Sequence, residues 1–336
     1  MIKSLKLTDF RNFRKKNLEF SDGVTVIVGP NASGKTNILE GLFLLSMGKS
    51  FKAKVEAEMI NYDEALARVK GDGLEIMITR GENGWPRKKM LVNGVSKRLI
   101  DFAGNFKTVL FGPWDMDLVT ESPSLRRKFL DTVLSQVDRE YRRSILSYEK
   151  GLRQRNRLLF RIREEGLSRS QLVFWNQLLI KNGDYISGKR EELIEFVNAQ
   201  AGLNDEKFRL DYDKSAISEG RLEQYSEEEV AAATTLVGPH RDDFIFYEKK
   251  RDLASYGSRG EQRMAVLWLK LAELAFVEEK TGERPTLLLD DIFSELDHEH
   301  RDVVMKLAEK QQTIITTADE HFLGKKMKLE KISLGS

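Results

Sequence analysis

The residues Gly29, Pro30, Asn31, Ala32, Ser33, Gly34, Lys35 and Thr36 fit the pattern G-x-x-x-x-G-K-[ST] without deviation. Each part of that pattern has a chemical use. Glycines let the backbone approach phosphate oxygens, and a helix N-terminus turns amide N–H groups toward anionic oxygen. Lys35 neutralises the β and γ phosphates, and the Thr36 hydroxyl can coordinate Mg²⁺. A nucleoside triphosphate is therefore the expected ligand, with ATP and Mg²⁺ as the pair that such a loop takes.

A second chemical stretch, PTLLLDDIFSELD, runs from Pro285 to Asp297. Three consecutive leucines suit a strand buried on both faces of a parallel sheet. In phosphate-loop nucleotidases the first acid after such a strand holds the metal, which makes Asp290 the metal-side candidate. Asp291 is then placed to orient or polarise the attacking water. Ser294 and Asp297 read as caps of the next helix.

A third stretch, SYGSRGEQR from Ser255 to Arg263, repeats the chemistry of a glycine and serine turn opening a helix. Ser258 to Glu261 is a capping box, Ser-x-x-Glu, ahead of an apolar run containing Met264, Leu267, Leu271 and Leu274. A capping serine can still donate its own proton to a phosphate oxygen. The helix cap and an anion site are thus compatible readings of the same residues.

The elements that must hold these residues follow from periodicity. MIKSLKLTDFRNFRKKNLEFSDGVTVIVG reads as short strands leading straight into the phosphate loop. Ile38, Leu39, Leu42, Phe43, Leu45 and Met47, closed by Gly48, predict a buried helix after it. Residues 55 to 110 read as antiparallel strands joined by glycine turns. From Ser122, a Ser-Pro pair opens one long helical pattern through Leu130, Leu134, Val137, Tyr141, Ile145, Tyr148 and Leu152. Gly166 ends it, and SRSQ from Ser168 is a capping box for a second helix folded back on the first. GPHRDD, containing His240 and Arg241, reads as a turn into a strand. The expected organisation is a nucleotide-binding part over 1–120, an inserted helical arm over 121–235, and a return to the first fold over 236–336.

Composition narrows the class. The 336 residues carry 40% hydrophobic side chains and a formal charge of +2, enough for one large core or two modest ones. No cysteine is present, which excludes disulfides and thiolate metal sites, and the four histidines make no zinc pattern. No apolar run reaches the roughly 18 residues of a membrane span, and the first 20 residues lack a signal-peptide pattern, so the cytoplasm is the expected compartment. Between Arg139 and Arg169, ten Lys or Arg stand against four Glu. That excess is a candidate footprint for a polyanion, with Arg139, Arg142, Arg143, Arg153, Arg155 and Arg157 as the candidate contacts. A solvated helix face explains the same residues as well.

The order of phosphate loop, helical insertion, SRGEQ, LLLDD and SELD resembles the heads of ABC-type ATPases. Within that class, LKLTDFRNF, GPNASGKTNILEGLFLLSMGKS, VLFGPWDMDLVTESPSLRRKFLD, GPHRDDF, YGSRGEQR and LLLDDIFSELD resemble segments of the RecF family in the same order. The resemblance implies an α/β fold: an ABC-type head of mixed sheet and antiparallel lobe, with an inserted helical lobe. It implies an ATP-dependent homodimer, in which Ser258, Gly260 and Gln262 of one chain complete a site built by Lys35, Thr36, Asp290 and Asp291 of the other. DNA binding, single- or double-stranded and at gap junctions, is implied too, as is cooperation with the RecO and RecR proteins in loading the recombinase RecA. By the same analogy Arg11 and Asn12 lie near the adenine, although a plain turn before a strand explains them nearly as well.

Two positions depart from the wider ABC pattern. Asp291 stands where most such ATPases have Glu, one methylene longer, so slow turnover is expected. Thr316 and Thr317 occupy the region of the usual switch histidine, and His321 comes late. A transporter energy subunit shares the nucleotide motifs, and a small-molecule kinase would need only the phosphate loop.

Overall fold

The computed structural model describes residues 1–81, 85–203, 206–294, 296, 298–319 and 329–335. The chain opens with β1 (Ser4–Phe10), β2 (Phe13–Glu19), β3 (Val24–Val28), α1 (Lys35–Met47), β4 (Leu66–Gly71), β5 (Leu74–Thr79), β6 (Arg87–Val92), β7 (Val95–Lys97), α2 (Leu99–Phe102) and β8 (Thr108–Phe111). It continues through α3 (Asp117–Thr120), α4 (Pro123–Val137), α5 (Arg139–Glu165), α6 (Val173–Asn198), β9 (Phe208–Asp213), α7 (Glu219–Gln224) and α8 (Ser226–Ala232). Then follow β10 (Asp243–Glu248), β11 (Arg251–Asp252), α9 (Leu253–Tyr256), α10 (Arg259–Thr281), β12 (Thr286–Asp290), α11 (His298–Ala308), β13 (Thr313–Thr317) and β14 (Leu329–Ser333). Two compact units result: Met1–Asp115 with Glu273–Ser336, and Met116–Ala272. No described helix is long and apolar enough to cross a membrane.

In the first unit α1 is apolar nearly all round, and eleven of its residues are buried. Such a helix needs cover on every side. It touches β1, β4 and β5 of a six-stranded antiparallel sheet ordered β2-β1-β4-β5-β6-β7, and β8, β12 and β13 of a five-stranded sheet ordered β14-β3-β13-β12-β8. Every pairing in the five-stranded sheet is parallel. TLLLD and TIITT are buried along their whole length, as a sheet covered on both faces requires. The antiparallel sheet alternates instead, sending Leu5, Leu7, Ala67, Val69, Ile76 and Ile78 into the core with α1. The strands expected over 55–110 are present as β4 to β7.

The parallel register fixes the geometry of the chemistry. Thr317 pairs with Val28 at the end of β3, and Thr316 with Asp290 at the end of β12. The phosphate loop, the two threonines and the acid pair therefore leave the sheet at one level, at the carboxyl ends of neighbouring strands. That is where open α/β sheets hold ligands.

The second unit differs from expectation in two places. The long helical pattern after Ser122 is two helices, because Asp138 breaks it: its backbone is extended and its carboxylate accepts from the N–H groups of Glu140 and Tyr141 as the N-cap of α5. The unit also extends to Ala272 rather than ending near 235. β10 pairs antiparallel with β9, Phe244 packs edge-on against Phe129, and Trp268 lies against Phe208, which ties 237–272 to the helices. α5 and α6 pack along each other, and SRSQ opens a single 3-10 turn, Arg169–Leu172, before α6 begins.

GPHRDD, expected only to turn the chain, is a buried knot. Asp242, fully buried, accepts from Arg190, the Tyr212 hydroxyl, the Ser187 hydroxyl and the Ser215 amide. Arg190 also reaches Asp131 and the Pro239 carbonyl. Asp243 takes both prongs of Arg126 at 2.6 and 2.9 Å. His240 bridges the Tyr148 hydroxyl, 2.8 Å from Nδ1, and the Thr235 carbonyl, to which Nε2 donates at 3.0 Å. Gly238, at φ 123°, has no room for a side chain, since a Cβ there would sit 2.3 Å from the Tyr148 hydroxyl.

Burial pushes the His240 imidazole down to about 4. The unfolded chain then binds a proton that the folded chain refuses between about pH 6.5 and 4, so this contribution is complete above pH 6.5 and is lost as pH falls through that window. Denaturant unfolding is expected to lose about 3 kcal/mol across it. His240→Gln should flatten that part of the profile.

Candidate nucleotide site

The phosphate loop leaves β3 at Val28 and enters α1 at Lys35, with Gly34 as N-cap at φ 98°. Only glycine adopts that conformation readily, and a Cβ at Gly34 would stand 2.6 Å from both Asn12 Nδ2 and Phe13 Cζ. Gly29 is equally constrained, because its Cβ would meet Ser33 Oγ at 2.7 Å. Pro30, Asn31 and Ala32 are exposed along the rim, and Ala32 also has positive φ. The buried Lys35 ammonium donates to the carbonyls of Gly29 and Pro30 at 2.7 and 2.9 Å.

Opposite the loop, Asp290 is buried and its Oδ1 accepts from two hydroxyls, Thr36 Oγ1 at 3.1 Å and Thr316 Oγ1 at 2.5 Å. The two predicted metal-side residues are thus in contact. Thr316 stands in the region of the usual switch histidine, and the sequence reading missed only its bond to Asp290, which follows from pairing TIITT with TLLLD in parallel register. Asp291 follows with φ 48°, a left-handed conformation that Asp tolerates, and its N–H donates to the Thr316 carbonyl. The carboxylates of Asp290 and Asp291 therefore leave the strand in different directions. Asp297, the side chain of Ser294, and His321 lie outside the described residues.

Arg11 and Asn12 divide. Arg11 clamps the fully buried Glu40 with two nitrogens at 2.6 and 2.8 Å and donates to the Glu58 carbonyl. Asn12 reaches the loop, donating to the Ser33 carbonyl at 3.3 Å and accepting from Asn37. Arg11 anchors the turn to α1, and Asn12 is the member of the pair that faces the phosphate loop.

These residues fit a magnesium nucleotide. Thr36 and Asp290 are oxygen donors of the kind that suits this hard cation, and the Ser33 hydroxyl is buried with no hydrogen-bond partner among the described residues. A buried hydroxyl left unsatisfied is costly unless a ligand meets it.

The signature residues belong to the second unit. Ser258 and Glu261 make the full reciprocal box, the Ser258 amide donating to Glu261 at 2.7 Å and the Glu261 amide to the Ser258 hydroxyl at 3.3 Å. The Ser258 amide, with Arg251 alongside, holds the Glu261 carboxyl down to about 2. Gln262 donates its amide to the carbonyls of Leu253 and Gly257, so in this conformation it fastens the turn. Ser258, Arg259 and Gly260 are exposed, and among the described residues a Cβ at Gly260 would find only Ser258 Oγ, at 3.9 Å.

The arm corrects one candidate DNA contact outright. Arg155 is buried, held by Glu229, Thr235 and Asn176 at 2.6 to 2.8 Å, and is unavailable to a polyanion. Arg142 is partly buried and donates to the Ser135 carbonyl. Arg139, Arg143, Arg153 and Arg157 are exposed, and at about 100° per residue they share one face of α5 with Lys150 and Arg161. Lys150 was legible by the same arithmetic. Arg143 and Arg161 are paired with Glu140 and Glu165.

The chain matches the family model of the RecF/RecN/SMC N terminal domain over residues 1–335. It is 36% identical to a DNA replication and repair protein RecF of Herpetosiphon aurantiacus, with 95% of this chain and 93% of the relative covered. This chain belongs to the RecF family. Among solved structures it is similar to the recombination mediator protein RecF-ATPrS in the RecFOR pathway, with a TM-score of 0.89 at 35% identity over 99% of this chain and 96% of the other. The RecF-ATP form of that mediator gives a TM-score of 0.88 at 34% identity, covering 98% and 95%. The head is accordingly an α/β ABC-type ATPase fold, and ATP is the nucleotide named with the related mediator.

Thr316→Val keeps the shape of the side chain and removes one of the two hydroxyls that orient Asp290. Nucleotide affinity in the presence of Mg²⁺ is expected to fall about tenfold or more, from the loss of a hydrogen bond to a charged group. Affinity without the metal should change little. Titration of a fluorescent ATP analogue with and without Mg²⁺ measures both.

Proposed function

We propose that this chain is a slow, Mg²⁺-dependent ATPase that dimerises on ATP, binds DNA in recombinational repair and replication, and resets by hydrolysis. The observation that carries the reading is the solvent-exposed signature turn, whose cap is already complete within its own helix. Among the described residues Gly260 has open space around it, so their packing does not demand a glycine there. A second copy's triphosphate, seated between Gly29 and Thr36, is the ligand that Ser258 and Gly260 would meet, with Gln262 holding the turn in place.

Lys35 would exchange the carbonyls of its own loop for β- and γ-phosphate oxygens. Thr36 and Asp290 would hold Mg²⁺, which supplies charge neutralisation to the phosphates when bound. Asp291 would orient the attacking water, and its short side chain supports slow turnover. The exposed stripe of α5, through Arg139, Arg143, Arg153 and Arg157, would follow a phosphate backbone without reading bases. Family membership supports RecR and RecO as partners, RecA downstream, single- and double-stranded DNA at gaps as the ligand, and the cytoplasm as the compartment.

Sedimentation with saturating ATP and Mg²⁺ tests the reading. The wild type is expected to double its mass, whereas Lys35→Ala and Ser258→Arg remain monomeric and lose turnover. A wild type that stays monomeric, or a Ser258→Arg variant that keeps full turnover, removes it and leaves a single-chain phosphate-loop enzyme. Stimulation of turnover by duplex or gapped DNA separates the reading from a transporter energy subunit.

A further inference from the structure

The turn at Ser258 carries an arginine that its own helix does not use. Arg259 is the first residue of α10, one position past the Ser258 cap, and it is exposed. Among the described residues it makes neither a hydrogen bond nor an ion pair. The positive end of the helix dipole lies here, so a cation in the first turn is disfavoured and a carboxylate is favoured. Glu261 follows that rule, and Arg259 breaks it.

The carboxylates nearest in sequence are committed to other groups. Glu261 accepts from the Ser258 amide and from Arg251, and Arg251 also takes Glu248. Asp252 accepts from the Ala254 amide and the Ser255 hydroxyl. These bonds also stiffen the turn. Gln262 fastens the Leu253 and Gly257 carbonyls, and a Cβ at Gly257 would stand 2.6 Å from the Leu253 carbonyl oxygen. An unpaired guanidinium is thus held on a rigid mount, between the Ser258 hydroxyl and the open space at Gly260. Arginine is always charged, and its planar fork of N–H donors matches phosphate oxygens two at a time. Phosphoryl transfer needs charge neutralised where it develops, and an arginine brought by a second molecule is a recurring means of doing so.

We infer that Arg259 is a catalytic residue supplied in trans: its guanidinium meets the triphosphate held between Gly29 and Thr36 of a second copy and stabilises the charge that develops during hydrolysis. The inference rests on the reading that ATP joins two copies. In the step itself a bond forms from a water oxygen to the γ-phosphorus, and the bond to the bridging oxygen breaks with its electron pair left on ADP. The water gives up one proton to solvent. Lys35 belongs to the chain that binds the nucleotide, whereas Arg259 arrives only with the second copy. Turnover is thereby tied to assembly.

Turnover and sedimentation without DNA, in ATP and Mg²⁺, compare the wild type with Arg259→Ala and Arg259→Lys. Arg259→Ala is expected to lose about a hundredfold or more in kcat, while its mass still doubles with ATP because Ser258 and Gly260 remain. Arg259→Lys, which keeps the charge and loses the fork, should fall between the two. The melting temperature of nucleotide-free Arg259→Ala should hold or rise, since a cation opposing the helix dipole is gone. A further arm mixes Arg259→Ala with Asp291→Asn before ATP is added. Only a mixed dimer then holds a site with both groups, and turnover should return to about a quarter of wild type, half the dimers being mixed with one complete site in two. A mixture that fails to recover, or an Arg259→Ala variant with wild-type turnover, overturns this inference alone. Arg259→Ala that keeps turnover but loses duplex affinity overturns it too, and gives the residue to DNA. A wild type that stays monomeric with ATP sinks the reading beneath it.

Discussion

A carboxylate buried at the end of a parallel strand is the constraint on which the first unit turns. Asp290 has only 4% of its surface exposed, and its Oδ1 is met by the hydroxyls of Thr36 and Thr316. Neutral hydroxyls compensate a buried charge only in part, so the site is arranged for a cation. Meeting that requirement places strict demands on the chain. Thr36 must follow the glycine turn by two residues, and Thr316 must lie in register on β13. Helix α1 must be apolar enough to be enclosed between two sheets so that its first turn cannot drift.

The second unit solves a different problem, since its helices carry charges that cannot reach solvent. Arg155 and Arg190 are both almost wholly buried, and each is surrounded by acceptors drawn from several elements. Removing one partner from such a network leaves an uncompensated charge and costs several kcal/mol, far more than breaking a surface pair. The antiparallel pair of β9 and β10 is thereby locked to α4, α5 and α6. The turn at Ser258, which follows β10 by a few residues, sits on that base.

Much of this was legible in the sequence where a local pattern carries its own geometry. The phosphate loop, the leucine strand with its two acids, and the Ser258 to Glu261 box each appear with the expected shape. What escaped notice depends on partners distant along the chain. Arg155 reads as one more surface cation until Glu229 and Thr235 fold over it, and Asp242 reads as a turn residue until Arg190 arrives from α6. Asp138 breaks a helix through its own side chain although the apolar period runs on past it. The bond from Thr316 to Asp290 could have been found by laying two parallel strands side by side.

The position of the Lys35 ammonium has a kinetic meaning. By donating to Gly29 and Pro30 it pins the loop into its working shape from the inside, much as a keystone would. On the proposed reading a triphosphate would enter a pre-shaped cradle and need only exchange one set of acceptors for another, so little chain ordering would oppose capture. Release of spent nucleotide would return the lysine to its own backbone rather than to bulk water. A cradle held in this way would need no rebuilding between turnovers.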